Sequence, residues 1–208
     1  MKKELIEYII EASDGKGLTI FDIDDTMFTS NARVRVKNNN TGQTKELTPK
    51  EYNNYKLQKG EEWDYGEFKS SKIFYKTATP IGKMVTKFKA ILRNATKKGS
   101  KVILVTARAD MDDRDLFLKT FEANGYPLKD VYIERAGNLG LDSSAKNKEI
   151  VFRKYLDTGK YKRIRLFDDH IENLYALLKL SNEYQDIQFE AYRVKKDGSI
   201  KTMKLRGR

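Results

Sequence analysis

From residue 80 onward the chain alternates two hydrophobic patterns. Ile81, Met84, Val85, Phe88, Ile91, Leu92 and Ala95 recur at i, i+3, i+4, i+7, the spacing of one buried helix face. Lys97-Lys98-Gly99 follows, and basic residues with a glycine suit a helix end. Val102-Ile-Leu-Val105 is then a short, continuously apolar run, the pattern of a strand buried on both faces. The rhythm repeats. A helix carries Leu116, Phe117, Thr120 and Phe121 and ends near Asn124-Gly125, and Val131-Tyr-Ile133 is the next strand. A third helix runs from about Ala145 to Leu156, Arg163–Phe167 is a strand, His170–Ser181 a helix and Ile187–Val194 the last strand. Upstream, Leu18–Phe21 is the first. Strands alternating with helices predict an α/β fold with a mostly parallel sheet flanked by helices.

Residues 29–79 break the rhythm. Val34–Leu47 alternates on two arms about a turn near Thr41-Gly42 and predicts a β-hairpin. Thr48-Pro49-Lys50-Glu51 has the form of a capping box with proline at the first helical position, opening a short helix. The expected organisation is a core of residues 1–28 and 80–208, with a basic C-terminal tail over about 193–208, and a small cap insertion at 29–79. Lys195–Ser199 predicts a turn, so the tail is expected to fold as a basic hairpin.

Composition narrows the chemistry. The 208 residues contain no cysteine, which removes disulfide scaffolds, zinc ribbons, iron–sulfur clusters and cysteine nucleophiles. The single histidine, His170, removes His-rich metal sites. Carboxylates, hydroxyls, Lys and Arg are left to do any chemistry. The opening MKKELIEYIIEAS reaches Glu4 and Glu7 at once and predicts an amphipathic helix rather than a signal peptide; with no cysteine and no long apolar run, a cytoplasmic location is expected (a host cytoplasm, were the chain phage-encoded). The net charge of +11 favours a polyanionic partner or an anionic substrate, and equally fits a lysine-rich solvated surface.

Parallel sheets bind ligands beyond the carboxyl ends of their strands. Phe21-Asp22-Ile23-Asp24-Asp25-Thr26 places three carboxylates and a hydroxyl there, Thr106 follows Val105, and Asp168-Asp169 follows Phe167. Carboxylates packed this closely need positive charge. Hard oxygen donors without His or Cys point to Mg²⁺. Lys148 shares a helix face with Val151, Phe152 and Tyr155, so Lys148 rather than Lys146 is expected to point inward as the buried cation.

Four segments in order, Asp22-Ile-Asp24-Asp-Thr26, Thr106 in VILVTAR, Lys148, and Asp168-Asp169 in LFDDHIEN, resemble the four motifs of the haloacid dehalogenase-like (HAD) superfamily of phosphotransferases, over roughly residues 16–194. The resemblance implies a Rossmann-like core and a Mg²⁺-dependent phosphomonoesterase. It implies Asp22 as the nucleophile that forms an aspartyl-phosphate, and Asp24 as the acid and base. Thr106 and Lys148 would bind phosphoryl oxygens. Asp22, the Asp24 carbonyl and the acidic pair would hold the metal, with Asp169 the direct ligand and Asp168 or Asn173 behind it. Thr26, Arg108 and Asn173 are the further candidates for substrate contact.

Several residues have a plainer reading. Asp24 and Thr26 could cap a turn. Arg108 could clamp a phosphate, or pair with Asp110, Asp112 or Asp113. His170 suits a helix start. Trp63, Tyr65 and Phe68 could stack on a base or form the insertion's own small core. The Phe-Asp-Asp-His stretch also resembles the phosphatase half of phage polynucleotide kinase-phosphatases, and no Gly-rich P-loop is present for a kinase half. Arg33, Arg35, Lys37 and Lys45 of the hairpin, with the basic tail, suit DNA or RNA ends or nucleotides as substrate. A small phosphorylated metabolite, and a non-catalytic nucleic-acid- or protein-binding role, are the alternatives.

Overall fold

The computed structural model of the chain describes residues 16–47, 51, 55–97, 99–141 and 143–205. The N-terminal amphipathic helix expected from the sequence lies outside these residues, as does the capping box at 48–51 apart from Glu51. Among the described residues no helix is long and apolar enough to cross a membrane.

The fold is α/β. Strands β1 (Gly17–Phe21), β7 (Lys101–Thr106), β8 (Tyr132–Arg135), β9 (Arg163–Asp168), β10 (Gln188–Val194) and β11 (Ile200–Met203) form one sheet in the order β11-β10-β9-β1-β7-β8. All neighbours pair in parallel except β11, which runs antiparallel to β10 at the edge. That edge strand is the return arm of the expected hairpin, closed by the Lys195 N–H donating to the Ser199 carbonyl at 2.9 Å. It lets the basic tail complete the sheet instead of hanging free.

The period-2 alternation of the strands sorts side chains into two cores. Phe21, Val102, Leu104, Phe167 and Tyr192 face one way, onto α3 (Gly82–Lys97) and α4 (Arg114–Ala123). Leu18, Ile20, Ile103, Ile164 and Leu166 face the other, onto α5 (Ser144–Leu156) and α6 (Ile171–Lys179). On the first face Phe167 stacks between Phe21 at 4.7 Å and Tyr192 at 4.9 Å, so three adjacent strands are joined through their rings. The caps follow the sequence: the Asp113 and Ser143 side chains accept the backbone N–H groups of Leu116 and Lys146, and Gly99 takes the left-handed conformation just past α3.

The expected hairpin forms from β3 (Val34–Asn38) and β4 (Thr44–Leu47), and β5 (Glu61–Asp64) adds a third antiparallel strand on its other edge. The short strands β2 (Phe28–Thr29) and β6 (Thr79–Pro80) pair where the segment leaves and rejoins the core. The packing changes earlier than residue 79. Between β5 and β6 lie the one-turn helix α1 (Gly66–Lys69) and α2 (Ser71–Thr77), and α2 belongs to the core. Phe74 of α2 is fully buried, with its ring 5.3 Å from Phe28 and 5.2 Å from Phe117. Ser71 donates its hydroxyl to the Asp113 carbonyl at 2.6 Å, and the Asp112 carboxylate accepts its N–H at 2.7 Å. A helix of two turns is too short to show a periodicity, which is why the sequence pattern assigns it to the insertion. Trp63 and Tyr65 do stay in the insertion, packed near Tyr55, whereas Phe68 turns to the core-side arginine described below.

Phe74→Ala is expected to cost about 3–5 kcal/mol in denaturant unfolding. A loss under about 1 kcal/mol would mean that α2 merely rests on the surface.

Candidate functional site

The carboxyl ends of β1 and β9 lie side by side, tied by the Asp22 N–H donating to the Phe167 carbonyl at 2.9 Å. Alternation sends Asp22 to the face of Leu18 and Ile20, and Asp168 to the face of Ile164 and Leu166, both toward α5. From α5 comes Lys148, on the buried face with Val151, Phe152 and Tyr155 as its spacing predicts. Lys146 is exposed. Lys148 is 1% exposed, and its Nζ donates to Asp22 Oδ1 at 2.6 Å and to Asp168 Oδ2 at 2.8 Å.

One ammonium thus faces three carboxylates. Asp22, Asp168 and Asp169 each offer an oxygen within 4.8 Å of the others. Burial raises the Asp22 carboxyl well above its ordinary range, Lys148 pulls it back only in part, and Asp168 and Asp169 push it up again. Burial, then Asp168 and Asp25, pushes Asp169 up to about 7. Burial also works against the Lys148 cation, but Asp168 and Asp22 outweigh it and its pKa is raised, so the lysine stays charged. The cluster therefore lacks positive charge, and a hard divalent cation is the group its all-oxygen donor set fits.

The oxygens are not equally available. Asp168 accepts from Lys148, from the Asn173 amide at 3.1 and 3.0 Å, and from the His170 N–H at 2.8 Å. Among the described residues the Asp169 carboxylate meets only its own backbone N–H, and Asp22 Oδ2 has no hydrogen-bond partner. A cation is therefore best met by Asp22 and Asp169, with Asp168 fixing Lys148. Asn173 touches Asp168 and serves to hold it, rather than lying open to a substrate. His170 caps the start of α6 with its backbone, and its side chain is exposed.

Asp24 stands apart from this cluster. Arg108 grips it with two hydrogen bonds, Nε to Oδ2 at 2.8 Å and Nη2 to Oδ1 at 2.6 Å. The same guanidinium donates to the Phe68 carbonyl at 2.8 Å and lies 4.8 Å from the Phe68 ring centre and 4.7 Å from that of Phe74. The expected alternatives for Arg108 are not what forms. Asp110 pairs with Arg135 at 2.8 Å, Asp112 caps α2 and Asp113 caps α4. Thr106 closes β7 fully buried, and its Oγ1 accepts the Arg108 N–H at 3.1 Å. Thr26 is also fully buried, and its Oγ1 has no hydrogen-bond partner. The loop after Thr106 is clamped by Gly137, where a Cβ would sit 2.2 Å from the Ala107 carbonyl oxygen; only glycine fits there.

Three of the hairpin's cations are engaged within the insertion: Arg35 pairs with Glu46 at 2.8 Å and with Glu67, Lys37 with Glu62 at 3.9 Å, and Lys45 lies over Tyr55. Basic residues also reach the site from the β10–β11 hairpin. Arg193 donates to the Asp169 carbonyl at 3.3 Å, and Lys196 is close enough to Asp25 to offset part of the rise that burial imposes on that carboxyl.

The family described as "Protein of unknown function (DUF2608)" matches residues 2–119. The chain belongs to this family. The DUF2608 match takes in Asp22, Asp24, Thr26, Thr106 and Arg108 and ends within α4, before Lys148, Asp168, Asp169 and Asn173. No curated protein matches the chain.

Sequence reasoning missed the Asp24–Arg108 pair. The two residues are 84 apart, and the only hint was an arginine two places beyond a buried strand.

Lys148→Met is expected to cost about 3–5 kcal/mol, because Asp22 and Asp168 lose their counter-charge in a buried place. Its loss raises the folded-state carboxyl pKa values further, so the folded variant binds more protons than the unfolded chain. The deficit therefore grows as pH rises above about 4. Unfolding midpoints at pH 5 and pH 8 check this; an equal loss at both would contradict the charge pairing.

Proposed function

We propose that this chain is a Mg²⁺-dependent phosphomonoester hydrolase of the haloacid dehalogenase-like kind, acting through an aspartyl-phosphate on Asp22. The observation that carries the reading is the buried Lys148 held between Asp22 and Asp168, with Asp169 beside them, at the carboxyl ends of adjacent parallel strands. Asp22 and Asp169 would hold the ion, joined by the Asp24 carbonyl. When bound, Mg²⁺ offsets the negative charge of nucleophile and phosphoryl group so that they can approach.

The residues would then act in sequence. Asp22 attacks phosphorus, and the ester P–O bond breaks with its electron pair leaving on the alcohol oxygen. Asp24 gives that oxygen a proton. Water next attacks the aspartyl-phosphate; Asp24 takes its proton, Asp22 is restored and phosphate leaves. Lys148, and the Thr106 hydroxyl at the end of β7, would bind phosphoryl oxygens. Arg108 holds Asp24 by both carboxylate oxygens, so for the transfer one oxygen must come off the guanidinium. Thr26, buried and unpartnered, keeps a hydroxyl for the phosphoryl group or for a neighbour that moves with it.

The net charge of +11 and the basic β10–β11 hairpin at the rim support nucleic-acid ends or nucleotides as substrates. The pairing of Arg35 and Lys37 within the insertion favours a second reading, a small phosphorylated metabolite.

Phosphate release should be measured with Mg²⁺ on an aryl phosphate, nucleoside monophosphates, and 3′- and 5′-phosphorylated oligonucleotides. Asp22→Asn is expected to lower the rate at least about a thousandfold. Preference among the substrates separates the two readings, and release that persists in Asp22→Asn would overturn both.

A further inference from the structure

At the opposite end of the sheet, two arginines interrupt the buried strand β9. Arg163 and Arg165 are 8% and 2% exposed, on the face that carries Phe167. They line a small recess of about 30 Å³, open to solvent on one side, with Thr19 of β1, Asn94 of α3 and Ser100. Arg165 Nε lies 3.0 Å from Glu190 Oε2, on the neighbouring strand. Glu190 also accepts from Gln188 at 2.9 Å and from the Tyr192 hydroxyl at 3.0 Å. Arg165 Nη2 is buried with no hydrogen-bond partner. A buried charged donor left so is costly, and such groups in folded proteins find acceptors.

We propose that this recess is a second anion site, separate from the aspartate cluster, that takes the phosphate group of a small ligand. The ligand supplies a negative acceptor for Arg165 Nη2, which has no hydrogen-bond partner among the described residues. The environment agrees: burial first, and then Arg163, push the Arg165 guanidinium down to about 10, the direction in which a bound anion would be welcome. The Ser100 hydroxyl, which accepts the Gly17 N–H at 2.9 Å, keeps its own proton to donate. Arg165 is three residues from Asp168, on the order of 10 Å along β9, and points to the other face of the sheet. The two sites share a strand and no side chain.

The test is calorimetric titration of the full chain with inorganic phosphate in EDTA, which strips divalent cations and leaves the aspartate cluster repelling anions. One site is expected. Its affinity should fall at least about tenfold in Arg165→Gln, which removes the charge, and in Asn94→Asp, which sets a carboxylate at the rim. Asn94→Asp decides the matter if Arg165→Gln does not fold. Asp22→Asn should leave the affinity unchanged; a rise there would place the anion at the aspartates and overturn the proposal. So would the absence of any EDTA-resistant site, or equal affinity in Asn94→Asp and the parent. Competition by a nucleoside 5′-monophosphate at matching affinity assigns the site to phosphate esters, and failure to compete assigns it to free phosphate.

Discussion

A single ammonium buried between two carboxylates fixes the geometry of this protein. Lys148 can be charged at 1% exposure only because Asp22 and Asp168 sit 2.6 and 2.8 Å away, and those carboxylates can stay buried only because Lys148 is there. The pairing locks the end of β1 to the end of β9 and draws α5 down over both. Asp169 has no such direct ion pair among the described residues, and burial pushes its carboxyl up to about 7. The imbalance makes the place receptive to a cation.

A second charge pair, of the buried Arg108 with the half-buried Asp24, connects this centre to the chain between β1 and α3. Arg108 holds Asp24, accepts the rings of Phe68 and Phe74 as walls and donates to the Phe68 carbonyl. Phe74 is at the same time part of the core through Phe28 and Phe117. The position of Asp24 is thus set by the packing of α2, well away in sequence. In the three-stranded sheet β3-β4-β5 beyond it Arg35 and Lys37 pair with carboxylates of the same segment, while the β10–β11 hairpin brings Arg193 and Lys196 to the site.

What the sequence disclosed follows the range of the physics involved. Strand alternation, helix periodicity and the rule that parallel sheets work at their carboxyl ends are local, and they located β1, β7, β9, Asp22, Thr106, Asp168 and the inward face bearing Lys148. The pairing of Arg108 with Asp24 joins residues 84 apart, and one sequence holds no signal for it. Helix α2 is too short for its period to show, and β5, Glu-Glu-Trp-Asp, lacks the apolar alternation that marks a strand. The two arginines of β9 were visible as charges in an apolar run, but burial on the same face and the lack of an acceptor emerge only from the packing. The ion pairs of the hairpin at 34–47 were hidden for a related reason: beside Glu46 within it, its counter-charges Glu62 and Glu67 come from later in the chain.

The claim on which the account rests is that the Asp22 carboxylate forms a bond to phosphorus. It is tested most directly by quenching the protein during turnover of a phosphomonoester and reducing it with borohydride, which converts an acyl phosphate to an alcohol. Peptide mass analysis should then find homoserine at position 22, dependent on Mg²⁺ and absent when substrate is withheld. Steady phosphate release with position 22 unmodified, or reduction found at Asp169 instead, would contradict it.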